Sequence, residues 1–221
     1  MQSKDRDAAF MSALTTEHFV VQSSMSATNS ESGQRASLYL FSLSSALVAF
    51  GFVSRTPEVF TPFVATVLPA VFLIGVFTCV RLVDANLEMM QLLVYVARIR
   101  AYYRTLSPDA EELLSPETGR WPEAKKPPAL RLGVFLAFIT TNASLVALIN
   151  SIVGGAGIAL LLWRLLNSRT VAVVLGVLAA ILLMTLFLRY QRWRYTVAGH
   201  MREYEPAHRS AKSPIHAVRS R

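Results

Sequence analysis

A single cysteine in 221 residues, Cys79, excludes an intrachain disulfide, and its place inside an apolar run argues against a cysteine-based metal site or an oxidising compartment. Histidine is scarce too. His18, His200, His208 and His216 are the only four, and none sits in an HExxH-like ligand spacing. No Walker A loop, no GxGxxG after a strand and no GxSxG elbow occurs, so neither phosphate cradling nor a hydrolase nucleophile is expected. The opening residues MQSKDRDAAF are acidic and polar and lead into no short apolar core with a cleavage site, so no signal peptide is expected. These absences leave no catalytic residue, no metal site and no cofactor to assign, and the chain reads as a non-enzyme.

Charge is thin as well, at 16% of residues. In its place stands apolar surface: 53% hydrophobic residues and a mean hydropathy of +0.40, too much for an ordinary soluble fold. The apolar residues are blocked into runs, and about 20 helical residues cross a hydrocarbon core of roughly 30 Å. Four spans follow. The first, 36–54, lies between Arg35 and Arg55. The second, 60–80, lies between Glu58 and Arg81 and contains Pro62 and Pro69, with a kink expected near Pro69. The fourth, 171–188, is closed by Arg169 and Arg189. The third apolar stretch, 132–163, would be about 48 Å long as one helix and overruns the bilayer core. It must tilt, break or protrude; the Gly154-Gly155-Ala156-Gly157 cluster is one place to bend, and 131–138 can lie at the interface.

Orientation follows from Lys and Arg in the connections. Residues 1–35, 81–131 and 189–221 hold nineteen, against three in the turns 55–59 and 164–170. Both termini are therefore expected in the cytoplasm of a multi-pass protein of the plasma (inner) membrane. The net charge of +8 becomes mostly an orientation signal, concentrated at the start of a basic tail, 189–221. There Arg189, Arg192, Trp193 and Arg194 suit anionic lipid headgroups, and no nucleic-acid partner is expected.

The cytoplasmic parts read as helical. Thr15-Thr16-Glu17 resembles a helix start, and Glu31 and Arg35 are spaced for an i,i+4 pair leading into the first span within an N-terminal helix, 1–35. After the second span the helical pattern continues to about Leu106. Ser107-Pro108-Asp109 then opens a short acidic helix, and a Pro- and Gly-rich connector completes the loop 81–131.

Two patterns are candidate functional features. Arg81, Asp84, Glu88, Gln91, Tyr95, Arg98 and Tyr102 recur at three- and four-residue steps and form one polar stripe on the extension of the second span. It is either a solvated face, or the mouth of an oligomeric pore or an ion-pair network. In the third span Thr140, Ser144, Ala147, Ser151 and Gly155 form a small-residue face suited to close helix packing, within or between chains. Asn142 and Asn150 add amides at membrane depth that need partners. The four spans contain no Asp, Glu or His.

The segments Thr16-Glu17-His18-Phe19, Ser37-Leu38-Tyr39-Leu40 and Leu43-Ser44-Ser45-Ala46-Leu47-Val48-Ala49-Phe50-Gly51-Phe52 resemble the start of small multi-pass bacterial membrane proteins to which no activity is assigned. The layout of a leading helix, two spans and a trailing cytoplasmic helix is also similar to two-span pore-forming effectors of bacterial defence systems, from which the second hairpin departs.

The expectation is an all-α integral membrane four-helix bundle, with hairpins 36–80 and 132–188, an N-terminal cytoplasmic helix and a cytoplasmic extension of the second span. Functionally it is a self-associating homo-oligomeric interaction or regulatory protein, or alternatively a channel-like or transport pore lined by the stripe. A reporter active only in the periplasm should be on when fused at Thr56 and off at Ala124; the opposite pattern overturns the orientation.

Overall fold

The computed structural model describes residues 2–114 and 139–210. These are helical without any strand: α1 (Gln2–Val53), α2 (Pro57–Arg104), α3 (Pro108–Leu113), α4 (Asn142–Leu166) and α5 (Arg169–Ser210). The connector at 115–138, with the interfacial entry expected at 131–138, and the end of the basic tail lie outside the described residues. Four helices, all but α3, are long and apolar enough to cross a membrane, which is compatible with a multi-pass membrane protein.

With 52 residues, α1 is about 78 Å long, more than twice the roughly 30 Å of a hydrocarbon core. It does not start at Thr15. Both threonine hydroxyls donate backward, Thr15 to the Met11 carbonyl and Thr16 to the Ser12 carbonyl, each at 2.9 Å. This is the i−4 bond of a hydroxyl inside a helix rather than a cap.

A 3–4 spacing holds α1 against α2. Leu14, His18, Val21, Met25, Thr28 and Ser32 are buried or half-buried, and the series resumes at Ala36, Tyr39, Leu43, Ala46 and Phe50. On α2 the facing series runs through Val71, Gly75, Thr78, Leu82, Ala85, Leu92, Val96 and Ile99. Such a seven-residue repeat keeps one seam facing the partner helix along its whole length. Ring contacts mark both ends of the antiparallel pair: Phe50 meets Phe60 at 5.0 Å beside the turn, and Phe10 meets Tyr102 edge-on at 5.5 Å at the far end. Between them α2 is helical without interruption through Pro62 and Pro69.

A second face of α2, at Cys79, Val83 and Leu87, packs with Ala143, Val146 and Ala147 of α4 in the main apolar core. In turn α4 packs on α5. Contacts of α1 with α4 and of α2 with α5 are narrow, and among the described residues α1 and α5 do not touch. The turn between α4 and α5 is closed by Asn167, whose left-handed backbone (φ 50°) ends α4. Asparagine is among the few non-glycine residues that take this conformation readily.

The third apolar stretch breaks at its start, not at its glycines. Thr141 caps α4, its hydroxyl accepting from the Ser144 amide at 3.2 Å, and the helix then runs straight through 154–157. The glycines serve close approach. A Cβ on Gly155 would lie 2.5 Å from the Gly176 carbonyl oxygen, and one on Gly176 would lie 2.7 Å from the Gly155 carbonyl oxygen. Backbone therefore meets backbone across the α4–α5 pair, an arrangement that small residues permit where no hydrophobic force drives helices together. The faces that remain outward carry large apolar side chains such as Phe41, Phe52, Phe77 and Leu165, each at least 70% exposed, which is a surface suited to hydrocarbon.

Gly176→Ala should therefore destabilise the chain by about 1–3 kcal/mol, the usual cost of overpacking. Gly51→Ala, with nothing within 4 Å of the added Cβ, should be neutral or stabilising. Denaturant titration in mixed micelles, followed by circular dichroism, compares the two.

Candidate functional site

The polar groups gather where the long helices cross one another, in a band around the start of the α2 extension. Each member is placed by the helical repeat that brings its face onto a neighbour. On α1, Glu31 precedes the first span by about one turn and reaches in two directions. It accepts from Arg35 Nε at 2.8 Å, one turn along its own helix, and from Arg81 Nε and Nη2 at 3.1 Å each. The Arg81 fork is bidentate, the geometry that gives a guanidinium–carboxylate pair its direction. Hydrogen bonding from Arg81, and secondly from Arg35, holds the Glu31 carboxyl below its ordinary 4.5, while Glu31 holds Arg81 above its ordinary range.

One turn further along α2, Asp84 accepts from Arg194 Nη2 of α5. Arg81 and Asp84 therefore tie the same helix to α1 on one side and to α5 on the other. Between α4 and α5, Gln191 is fully buried; it accepts from the Ser144 hydroxyl at 3.2 Å and donates to the Thr141 hydroxyl at 3.4 Å. Tyr195 lies one turn beyond Gln191 on α5, and burial raises its phenol above the ordinary range.

Deeper in the spans, the Tyr39 hydroxyl donates to Asn150 Oδ1 at 3.2 Å, with both residues buried. This bond crosses from α1 to α4 over the surface of α2 at Gly75. A Cβ there would lie 2.1 Å from Asn150 Oδ1 and 2.8 Å from the Tyr39 ring, so only glycine fits beneath the pair. Asn150 thus has the partner its burial demands. Asn142 opens α4 and is exposed.

The sequence patterns divide accordingly. Of the polar stripe, Arg81 and Asp84 are half-buried in interhelical ion pairs. Glu88, Gln91, Tyr95, Arg98 and Tyr102 are exposed, with Arg98 5.8 Å above the Tyr95 ring. Of the small-residue face, Ser144, Ala147, Ser151 and Gly155 are buried, whereas Thr140 precedes the helix and is exposed. In the basic segment Arg189, Arg192 and Trp193 are exposed, and Arg194 turns inward to Asp84. Among the described residues no three of His, Cys, Asp and Glu gather in a way that could hold a metal ion.

Four partners or pairings went unmarked in the sequence: Gln191, Tyr39, Glu31–Arg81 and Asp84–Arg194. Tyr39 belongs to the 3–4 repeat of α1 and Glu31 directly precedes its member Ser32; the repeat is legible once the register is followed through the weakly apolar positions His18, Thr28 and Ser32. Gln191 carries no such signal, because a glutamine beside three arginines reads as solvated.

Chemically the arrangement fixes helices relative to one another. Comparisons with protein-family models, curated proteins and solved structures found no match.

Because its folded carboxyl is depressed, Glu31 strengthens the α1–α2 contact above about pH 4.5, and that contribution is lost as pH falls through the lower folded value. Spin labels at Ser23 and Met90 should report a wider or broader separation below pH 4.5 in the native chain. In Glu31→Gln the same broadening should already be present at pH 7, with no acid transition.

Proposed function

We propose that this chain is a non-enzymatic, self-associating interaction or regulatory protein of the plasma (inner) membrane. In this reading its four long helices form a membrane bundle with both termini in the cytoplasm, and the arms of α1 and α2 project as a helical stalk. The observation that carries the reading is the division of the polar stripe. Its two residues nearest the membrane, Arg81 and Asp84, are used in ion pairs to Glu31 and Arg194, so they brace the stalk. The outer members, Glu88, Gln91, Tyr95 and Arg98, are left on the surface. Apolar side chains stand exposed on the same arms, including Phe19 at 68% and Val20 at 52% on α1. A mixed aromatic, apolar and arginine surface on a rigid support is the composition of an interface.

The orientation is supported by the nineteen Lys and Arg in the connections on one side against three on the other. With the basic segment on the cytoplasmic side, Arg189, Arg192 and Trp193 face anionic headgroups, while Arg194 is occupied by Asp84. A pore would instead require Glu88, Gln91 and Arg98 to converge on an axis between copies.

Native mass spectrometry in mild detergent should show oligomers, and purified protein in liposomes should conduct no ions. Monomers alone would remove self-association from the reading. Ion flux that changes with Glu88→Gln or Arg98→Gln would replace it with the pore.

A further inference from the structure

Near the turn that joins α1 to α2, the two helices diverge from α4 and leave a half-enclosed groove of about 300 Å³. All its lining residues are apolar, among them Leu47 and Phe50 of α1, Val64 and Leu68 of α2, and Val153 and Ala156 of α4. A volume of this order is at the lower end of small-molecule sites. It opens between exposed residues, so in a membrane it faces hydrocarbon; Leu47 on its edge is 62% exposed. An empty groove there would forfeit the dispersion contacts of its walls.

The two ends of the groove differ. Its deep end stops at Ile149, beside the Tyr39–Asn150 bond, whose polar atoms already satisfy each other. Eight residues beyond Ala156, the last α4 residue of the lining, stands Arg164, whose Nη2 donates to the Thr61 hydroxyl of α2 at 3.2 Å, two residues before Phe63 of the groove wall. Among the described residues this neutral group is its hydrogen-bond partner and no carboxylate forms an ion pair with it. One residue earlier Trp163, with the Arg169 guanidinium 5.9 Å from its ring, marks the level at which tryptophan and arginine meet headgroups. From Ile149 to Arg164 is fifteen residues, or about 22 Å of helix, which is the depth of one leaflet from headgroup toward midplane.

We infer that this groove is a phospholipid site, with one acyl chain lying between α1, α2 and α4 and the lipid phosphate on Arg164. The inference rests on the reading that these helices span a bilayer. The occupant is supplied by the surroundings, the walls are entirely apolar, and beyond the mouth Arg164 offers a cation suited to an anionic head. The lipid would also fill the gap on the side of α2 where α1 and α4 meet only narrowly.

The full chain, reconstituted in vesicles of equal phosphatidylglycerol and phosphatidylcholine and released into mild detergent, is examined by native mass spectrometry. One phosphatidylglycerol should remain bound per chain. Arg164→Gln should lower its preference over phosphatidylcholine about fivefold, the effect of one interfacial cation. Ala156→Phe from the α4 wall and Ala46→Phe from the α1 wall should each expel the lipid with helical content unchanged, while Leu186→Phe on the outer face of α5 should not. Loss of lipid in only the Leu186→Phe control, retention in both groove-filling variants, or no retained lipid in the native chain overturns the site. Labelling of Thr56→Cys from each side of the same vesicles reads the orientation separately, so an inverted topology is distinguished from an empty groove.

Discussion

Hydrocarbon does not squeeze apolar helices together, because lipid tails solvate a leucine as well as another leucine does. Helices long and apolar enough for a bilayer therefore need a specific joint, and here it is the hydrogen bond from Tyr39 to Asn150 over Gly75. It is the place where α1, α2 and α4 come within contact of a single pair of atoms. Leaving either group unpaired would be costly, since both residues are buried and out of reach of bulk water. The missing side chain at Gly75 is as much a part of the joint as the two groups that bond. The rest of the assembly is arranged around α2, which bears α1 on one face and α4 on another, with α5 attached through α4.

Toward the α2 extension the same task passes to charge. Glu31–Arg81 and Asp84–Arg194 lie where α1, α2 and α5 leave the apolar stretch, and both pairs are between one-third and one-half exposed. Pairs of that exposure contribute little to stability, because solvent screens them. Their value is in register. A bidentate arginine on a carboxylate fixes the axial position of one long helix against another, which a uniform apolar seam does poorly. The uncharged Ser144–Gln191–Thr141 set does the same for α4 and α5 at a buried position, where an ion would be costly to desolvate.

Legibility followed the strength of the local signal. The apolar blocks at 60–80 and 171–188 stand inside α2 and α5, that at 36–54 stands in α1 but for Ser54 in the turn, and Ser107-Pro108-Asp109 opens α3, with the Ser107 hydroxyl accepting from the Ala110 amide at 3.1 Å. Where two readings of one residue type compete, the local signal misled. Thr15 and Thr16 look like caps, but the helix continues through them because the 3–4 seam against α2 holds both sides of the position. The 154–157 glycines look like a hinge and act as contact surface, because neighbouring helices occupy the space each one leaves.

Composition and the spacing of apolar residues were enough to establish long membrane-length helices. Those properties depend on each segment's own transfer energy and on its neighbours in sequence. Which helix touches which, and which polar group finds which partner, was decided only in three dimensions. Glu31 and Arg81 are fifty residues apart, Asp84 and Arg194 one hundred and ten, and Tyr39 and Asn150 one hundred and eleven. At such separations a single sequence carries no mark of pairing, since each residue alone is equally compatible with water, lipid headgroup or a distant helix, and only the packed backbone selects among them.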